Sequence, residues 1–332
     1  MKTSLFSTCI CITLSMLALS IYAQPLAKPH KPKIIFDTDM GPDYDDIGAI
    51  TILHALAAKG ECEILATVAS DAHPSIAPTI ATFNQYFKHP EIPVGVAPAS
   101  APAFTAGNHW TDSLVERFAP ALAQKKFPPA VTIYRQVLAA QPDQSVTIVT
   151  VGFTSNLREL LQSAADQYSP LSGAALIKKK VKNWVAMAGG FPQGKEFNVA
   201  KDSTASYEVF SKWPTPILFS GFEIGLPIVT GSQVAAQNGK DNPVAWGYAY
   251  NLRTYTANGE KNRPSWDHTA VLCAIRDPEQ YFYVIGPGTF KIKPDGSNQW
   301  NPSGSAKHYF LVHKYPYDHI AQELEALMHV QP

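Results

Sequence analysis

Ten residues, Asp37 to Asp46, carry five carboxylates, and they join an apolar run, Lys33 to Phe36, to a stretch with apolar residues at helical spacing, Ile47 to Ala58. The flanks read as a buried strand and a helix, so the acids stand at the mouth of an interior rather than in open solvent. Five negative charges so close raise one another's proton affinity and destabilise any fold that gathers them, unless something positive lies among them. A divalent cation is the economical answer. An oxygen-only donor set favours calcium or magnesium over zinc, which prefers nitrogen and sulfur. Gly41 and Pro42 force a tight turn, so Asp39 can fold back toward the Asp45–Asp46 pair. Asp46, at the helix entry, also meets the favourable end of the helix dipole. A solvated acidic loop in which Asp45 or Asp46 merely caps the helix is the plainer alternative, but it accounts for one carboxylate and not five.

The same strand-to-helix rhythm continues. Ile64 to Val68 reads as a strand, Ala77 to Phe87 as a helix and Ile92 to Val94 as a strand. Later, Val146 to Val151 ends at Gly152 with a helix over Leu157 to Ala165, Asn183 to Met187 ends at Gly189 and Gly190, and Pro216 to Phe219 ends at Gly221. Strands alternating with helices at these intervals predict an α/β fold: an open, mostly parallel sheet flanked by helices, with its site at the carboxyl ends of the strands. Rhythm is lost from Ala97 to Gln124 and from Gly231 to Ser265, which are candidate lids or inserted helices.

Lysine plus arginine and aspartate plus glutamate number 27 each in 332 residues, and that balance argues against a nucleic-acid polymer or an anionic membrane as partner. With 45% hydrophobic and 11% aromatic residues the chain has ample material for a large core, far from the composition of disorder. Residues 1–23 open with Lys2, run through an apolar stretch from Leu5 to Ile21 and end at Ala23, the form of a secretory signal peptide. The expectation is therefore a periplasmic or secreted protein with one domain over 24–332. Cys62 and Cys273 are the cysteines beyond that leader, too few for a disulfide framework; buried thiols are expected.

An acid-x-acid after a strand also opens phosphohydrolases of the haloacid dehalogenase type, with Asp37 as nucleophile and Asp39 as general acid. They want in addition a later lysine and an acidic pair at a strand end, and no such pair follows a later strand here. The whole decapeptide Asp37 to Asp46 instead resembles the longer form of the amino-terminal signature of the inosine–uridine-preferring nucleoside hydrolases. Four further segments follow in family order. Thr150 to Asn156 is similar to the family's strand-to-helix turn, Met187 to Gly190 to its Met-Gly-Gly turn, Glu196 to Asn198 with Asp202 to its ribose-recognition segment, and Trp266-Asp267 stands where its last metal-binding aspartate lies. The resemblance runs from about Lys33 to Pro278.

What it implies is calcium-dependent hydrolysis of the N-glycosidic bond of ribonucleosides, releasing base and ribose. Asp39, Asp46, the Val151 carbonyl and Asp267 would hold Ca2+, Asp39 would take the proton of the attacking water, Asp45 and Asn198 would bind ribose hydroxyls, and Glu196 would bind the 5′ end. Asp71 aligns loosely with a sugar-contacting asparagine, and Asp43 receives no role. One departure matters. Much of the family places a histidine before the last aspartate to protonate the leaving base, and here that position is Trp266. Indole is no acid at neutral pH. A purine-specific branch resembles this chain in having tryptophan there to stack the base, which implies a purine preference. His268 reads as a helix-face residue, and His109, Trp110 and Tyr255 as loop packing or a second aromatic wall. Two further readings stay open: a nucleoside- or sugar-binding protein that has lost turnover, and the phosphohydrolase. A homo-oligomer is left open as well.

Overall fold

Alternation decides the architecture at its first strand. In β1 (Lys33–Thr38) Ile34 and Phe36 enter one buried cluster and Ile35 the other, as a two-residue period requires, so helices must cover both faces. The computed structural model describes residues 31–255, 260–314, 316–329 and 331–332; the expected signal peptide, residues 1–23, lies outside the described residues.

In chain order the strands are β1, β2 (Glu63–Ala69), β3 (Val94–Gly95), β4 (Val146–Thr150), β5 (Val181–Met187), β6 (Gln193–Gly194), β7 (Ile217–Ser220), β8 (Val229–Thr230), β9 (Arg263–Pro264), β10 (Phe282–Ile292), β11 (Asn298–Asn301) and β12 (His308–His313). The described residues build a ten-stranded sheet in the order β3-β2-β1-β4-β5-β7-β12-β10-β11-β6, with β8 and β9 as a separate ribbon. Every pairing from β3 to β12 is parallel, and β10, β11 and β6 continue the sheet antiparallel. The fold is α/β with a large, mostly parallel sheet flanked by helices, as the sequence predicts.

Helices Asp46–Ala58, Ile76–Tyr86, Pro243–Thr254, Trp266–Ile275 and Tyr317–Met328 pack on the Phe36 face, and helices Ala130–Ala140, Ser155–Gln162, Gly173–Lys180 and Ser203–Lys212 on the Ile35 face. The third strand begins two residues later than expected, at Val94, because Pro93 has no N–H; its carbonyl accepts from Thr67 at 3.0 Å. Both stretches without rhythm contain inserted helices, Trp110–Phe118 in the first and Pro243–Thr254 in the second. Cys62 and Cys273 are buried free thiols, and burial lifts that of Cys62 to about 12. No helix among the described residues is long and apolar enough to cross a membrane.

Candidate active site

The acidic loop is shaped by hydrogen bonds that spend one oxygen of Asp46 and leave the other unspent. Met40 sits in the left-handed region at φ 35°, and its N–H donates to Thr38 Oγ1 and to Asp46 Oδ1, both at 3.1 Å. The Thr38 hydroxyl donates to the same Oδ1. Asp46 Oδ2 is buried and has no partner among the described residues. A buried carboxylate oxygen without a donor is costly, so the site carries an unmet demand for positive charge.

Neighbouring strands bring the rest. A Cβ on Gly152 would stand 2.5 Å from the Asp39 nitrogen, so only glycine lets the turn after β4, with the Val151 carbonyl, close against Asp39. Asp267 opens the helix Trp266–Ile275, and its N–H donates to Asp45 Oδ2 at 3.0 Å, which ties that helix to the first loop. The Asn198 side chain donates to the Val151 carbonyl at 3.2 Å. Glu196 caps its own short helix: Oε1 accepts from the Asn198 N–H at 2.7 Å, and Oε2 accepts from Val199 at 3.1 Å and Gly189 at 3.3 Å. Asp202 braces this segment by accepting from the Thr154 N–H at 2.9 Å and from the Ser155 hydroxyl.

Beyond the carboxyl ends of β1, β4, β5 and β7 lies a cleft of about 270 Å³; Asp46 and Asp202 are not among the residues that line it. Its acidic end holds Asp39, Asp43, Asp45 and Asp267 beside Val151, Glu196 and Asn198; Phe197, Phe222, Tyr255 and Trp266 give it aromatic walls. Its electrostatics are those of crowded, dry carboxylates. Burial, then repulsion from Asp46, Asp43 and Asp71, pushes Asp39 well above the usual carboxylate range. Asp45 and Asp267 rise for the same two reasons, Asp46 rises to about 7, and burial lifts Glu196 to about 7.

The donor set suits a hard divalent cation, since it is all oxygen, includes the orphaned Asp46 Oδ2, and is destabilised without compensating charge. Carboxylate oxygens of Asp43, Asp45 and Asp46 lie within 4.8 Å of one another. That trio differs from the expected ligands Asp39, Asp46, Val151 and Asp267. Asp43 has a cation beside it, its Oδ2 accepting from Arg263 Nη2 at 2.5 Å, and Asp45 accepts from the Asp267 N–H, but both are themselves acids and Asp43 adds to the charge that Asp46 must bear.

Asp71, expected at the sugar, is close enough to Asp39 to raise its proton affinity. It lies outside the cleft lining, and its two oxygens are taken by backbone, Oδ1 accepting from His73 at 2.6 Å and Oδ2 from Phe104 at 2.8 Å. It braces a loop. Asp37 points to the opposite face of the sheet, fully buried, and accepts from the Tyr134 hydroxyl at 2.7 Å and from Asn156 at 3.1 Å. A phosphohydrolase nucleophile cannot work from there. His268 points into the core toward Tyr248, 3.0 Å away, where a Cβ on Gly48 would strike its ring. Trp110 is buried and donates to the Asp43 carbonyl at 3.0 Å, and His109 is exposed. Tyr255 lines the cleft and donates to the Pro42 carbonyl at 2.9 Å, so this residue is both wall and clamp.

Sequence reasoning passed over Arg263, Phe222 and Phe197. Arg263 stands three residues before Trp266, but in a segment without periodicity nothing marked it.

The profile of the inosine-uridine preferring nucleoside hydrolases matches residues 34–313. The chain belongs to that family. Nucleoside hydrolases are hydrolases that act on N-glycosyl compounds, and metal dependence belongs to the family, in keeping with the acidic cleft. Solved structures agree on the fold. A plant nucleoside hydrolase is 19% identical with a TM-score of 0.67, covering 90% of this chain and 99% of that one. An inosine-guanosine nucleoside hydrolase is 17% identical with a TM-score of 0.68, over 90% of this chain and 98% of that one. A purine-preferring ribonucleoside hydrolase from Gardnerella vaginalis is 16% identical with a TM-score of 0.64, over 89% and 98% respectively. Among curated proteins none matches the chain in sequence.

Proposed function

We propose that this nucleoside hydrolase is calcium-dependent, favours purine ribonucleosides and acts in the periplasm or outside the cell. The observation that carries the metal assignment is the buried, partnerless Asp46 Oδ2 among carboxylates that burial and mutual repulsion hold above their ordinary range. Asp39, Asp46, the Val151 carbonyl and Asp267 would hold the ion. When bound, calcium supplies the positive charge that makes water more acidic and ribose hydroxyls easier to hold.

Asp39 faces the cleft and is the base that takes a proton from the attacking water. Asp45 and Asn198 orient the ribose hydroxyls, and Asn198 is itself fixed by the Val151 carbonyl. Glu196 meets the 5′ end from a carboxylate locked by three backbone donors. Breaking the bond leaves cationic character on the ribose, which the surrounding carboxylates favour over the neutral ground state. At the other end Trp266 donates its Nε1–H to the Phe222 carbonyl at 2.8 Å and stacks on that ring at 5.2 Å, giving an apolar wall for a flat base. Purine preference rests on this wall, and the purine-preferring relative of the same fold agrees with it. Export rests on the leader, residues 1–23.

Release of ribose from inosine, measured with and without a chelator and on readdition of calcium, tests the reading. Asp39→Asn is expected to lower kcat at least about a thousandfold without loss of fold. Binding of inosine without ribose release, by the calcium-loaded protein, would establish the binding-protein alternative instead.

A further inference from the structure

Arg263 is the one cation among the described residues lining the cleft, and no step so far employs it. Its position is rigid. β9 is paired with β8, Nη2 is held by Asp43, and the guanidinium carbon lies 5.2 Å from the ring centre of Tyr44 and 5.1 Å from those of Tyr255 and Trp266. Burial opposes its charge, but Asp43 and Asp45 more than compensate and keep it protonated. Its Nε–H is buried and has no acceptor among the described residues, so the ion pair with Asp43 leaves part of the guanidinium's donor capacity unused.

The reaction needs such a donor at this end. When the C1′–N bond breaks, its electron pair goes to the base nitrogen, water oxygen bonds to C1′, and the water proton goes to Asp39. The base then leaves as an anion unless it is protonated first, and Trp266 stands where a histidine would have done so. We propose that Arg263 stabilises the departing base, its fixed charge on the cleft wall beside Trp266 meeting the negative charge that develops on the heterocycle, while the base later takes its proton from solvent. Arg263 keeps its own proton throughout. This makes it a catalytic residue of electrostatic type, comparable in kind to a preorganised oxyanion donor. The inference rests on the nucleoside hydrolase reading above.

The test compares inosine with p-nitrophenyl β-D-ribofuranoside, whose leaving group is a stable phenolate that needs little help. For Arg263→Gln, kcat on inosine is expected to fall roughly 100-fold to 1,000-fold, and kcat on the aryl riboside less than about tenfold. Arg263→Lys should recover part of the loss on inosine. A parallel fall on both substrates would make Arg263 a scaffold residue and overturn the proposal, as would unchanged turnover of inosine. Aryl riboside turnover also reports that each variant is folded. Wild-type protein that cleaves neither riboside would sink the hydrolase reading itself, a result separable from failure of the arginine alone.

Discussion

Replacing Asp46 by asparagine should make the metal-free protein more stable, and increasingly so as pH rises. The carboxyl of Asp46 ionises near 3.8 when unfolded and at about 7 when folded, because burial and then Asp43 disfavour its charge. Between those values the native state keeps a proton that the unfolded chain has given up, so stability drains away as pH rises through the window. At about 1.4 kcal/mol per pH unit the full loss is ~4 kcal/mol, and ~3 kcal/mol of it falls between pH 5 and pH 8. The wild-type profile alone would mislead. His54, His268 and His308 are buried and lowered to about 4, 3 and 4, so each costs stability as pH falls below the ordinary histidine value. Subtracting wild type from Asp46→Asn removes these terms, since both proteins share them. The assay is urea unfolding in chelator at pH 5, 6.5 and 8, followed by tryptophan fluorescence. The gap in unfolding free energy should widen by ~3 kcal/mol from the lowest to the highest pH. Saturating calcium should reverse the order at pH 8 by stabilising wild type and not the variant. A gap that stays constant with pH would refute the claim that Asp46 is an uncompensated buried acid, and with it the main argument for a cation.

Two further outcomes follow from the same contacts. Trp266→Ala should lower kcat/KM on inosine by an amount equivalent to about 1–3 kcal/mol, the worth of base–aromatic stacking, while Trp266→Phe should keep most of the activity; equal activities in steady-state assays would reject the stacking wall. Tyr134→Phe removes a 2.7 Å hydrogen bond to Asp37 on the far face of the sheet. It should therefore cost about 1–3 kcal/mol of stability and leave kcat unchanged, whereas a large kcat loss at full stability would show that Asp37 takes part in chemistry.

Much of this molecule was written in local sequence. The apolar run of β1, the helix after Asp46 and the glycines after β4 and β5 announced a doubly covered parallel sheet, because an unbroken apolar run and a helical period are properties of adjacent residues. The acidic loop could be recognised for a similar reason: five like charges between two apolar elements conflict wherever the chain goes. The carboxyl-terminal strands were not legible. β10 mixes buried and exposed residues irregularly and its pairing shifts register between Ile285 and Gly288, so it shows no clean alternation, and its partner β12 enters the sheet beside β7, about 90 residues away in sequence.

Tertiary structure alone decided which carboxylates share a space. Asp37 and Asp39 are two residues apart, yet packing gives the first to Tyr134 and Asn156 beneath the sheet and the second to the cleft. Asp71 is held by Phe104, 33 positions on, whose N–H returns to its second oxygen. Arg263 gained a place because β9 carries it to Asp43, 220 positions away in the chain. Sequence set the charges and the periodicities, which are local quantities. Their partners were set by distances across the fold, and for a buried charge it is the partner that decides its chemistry.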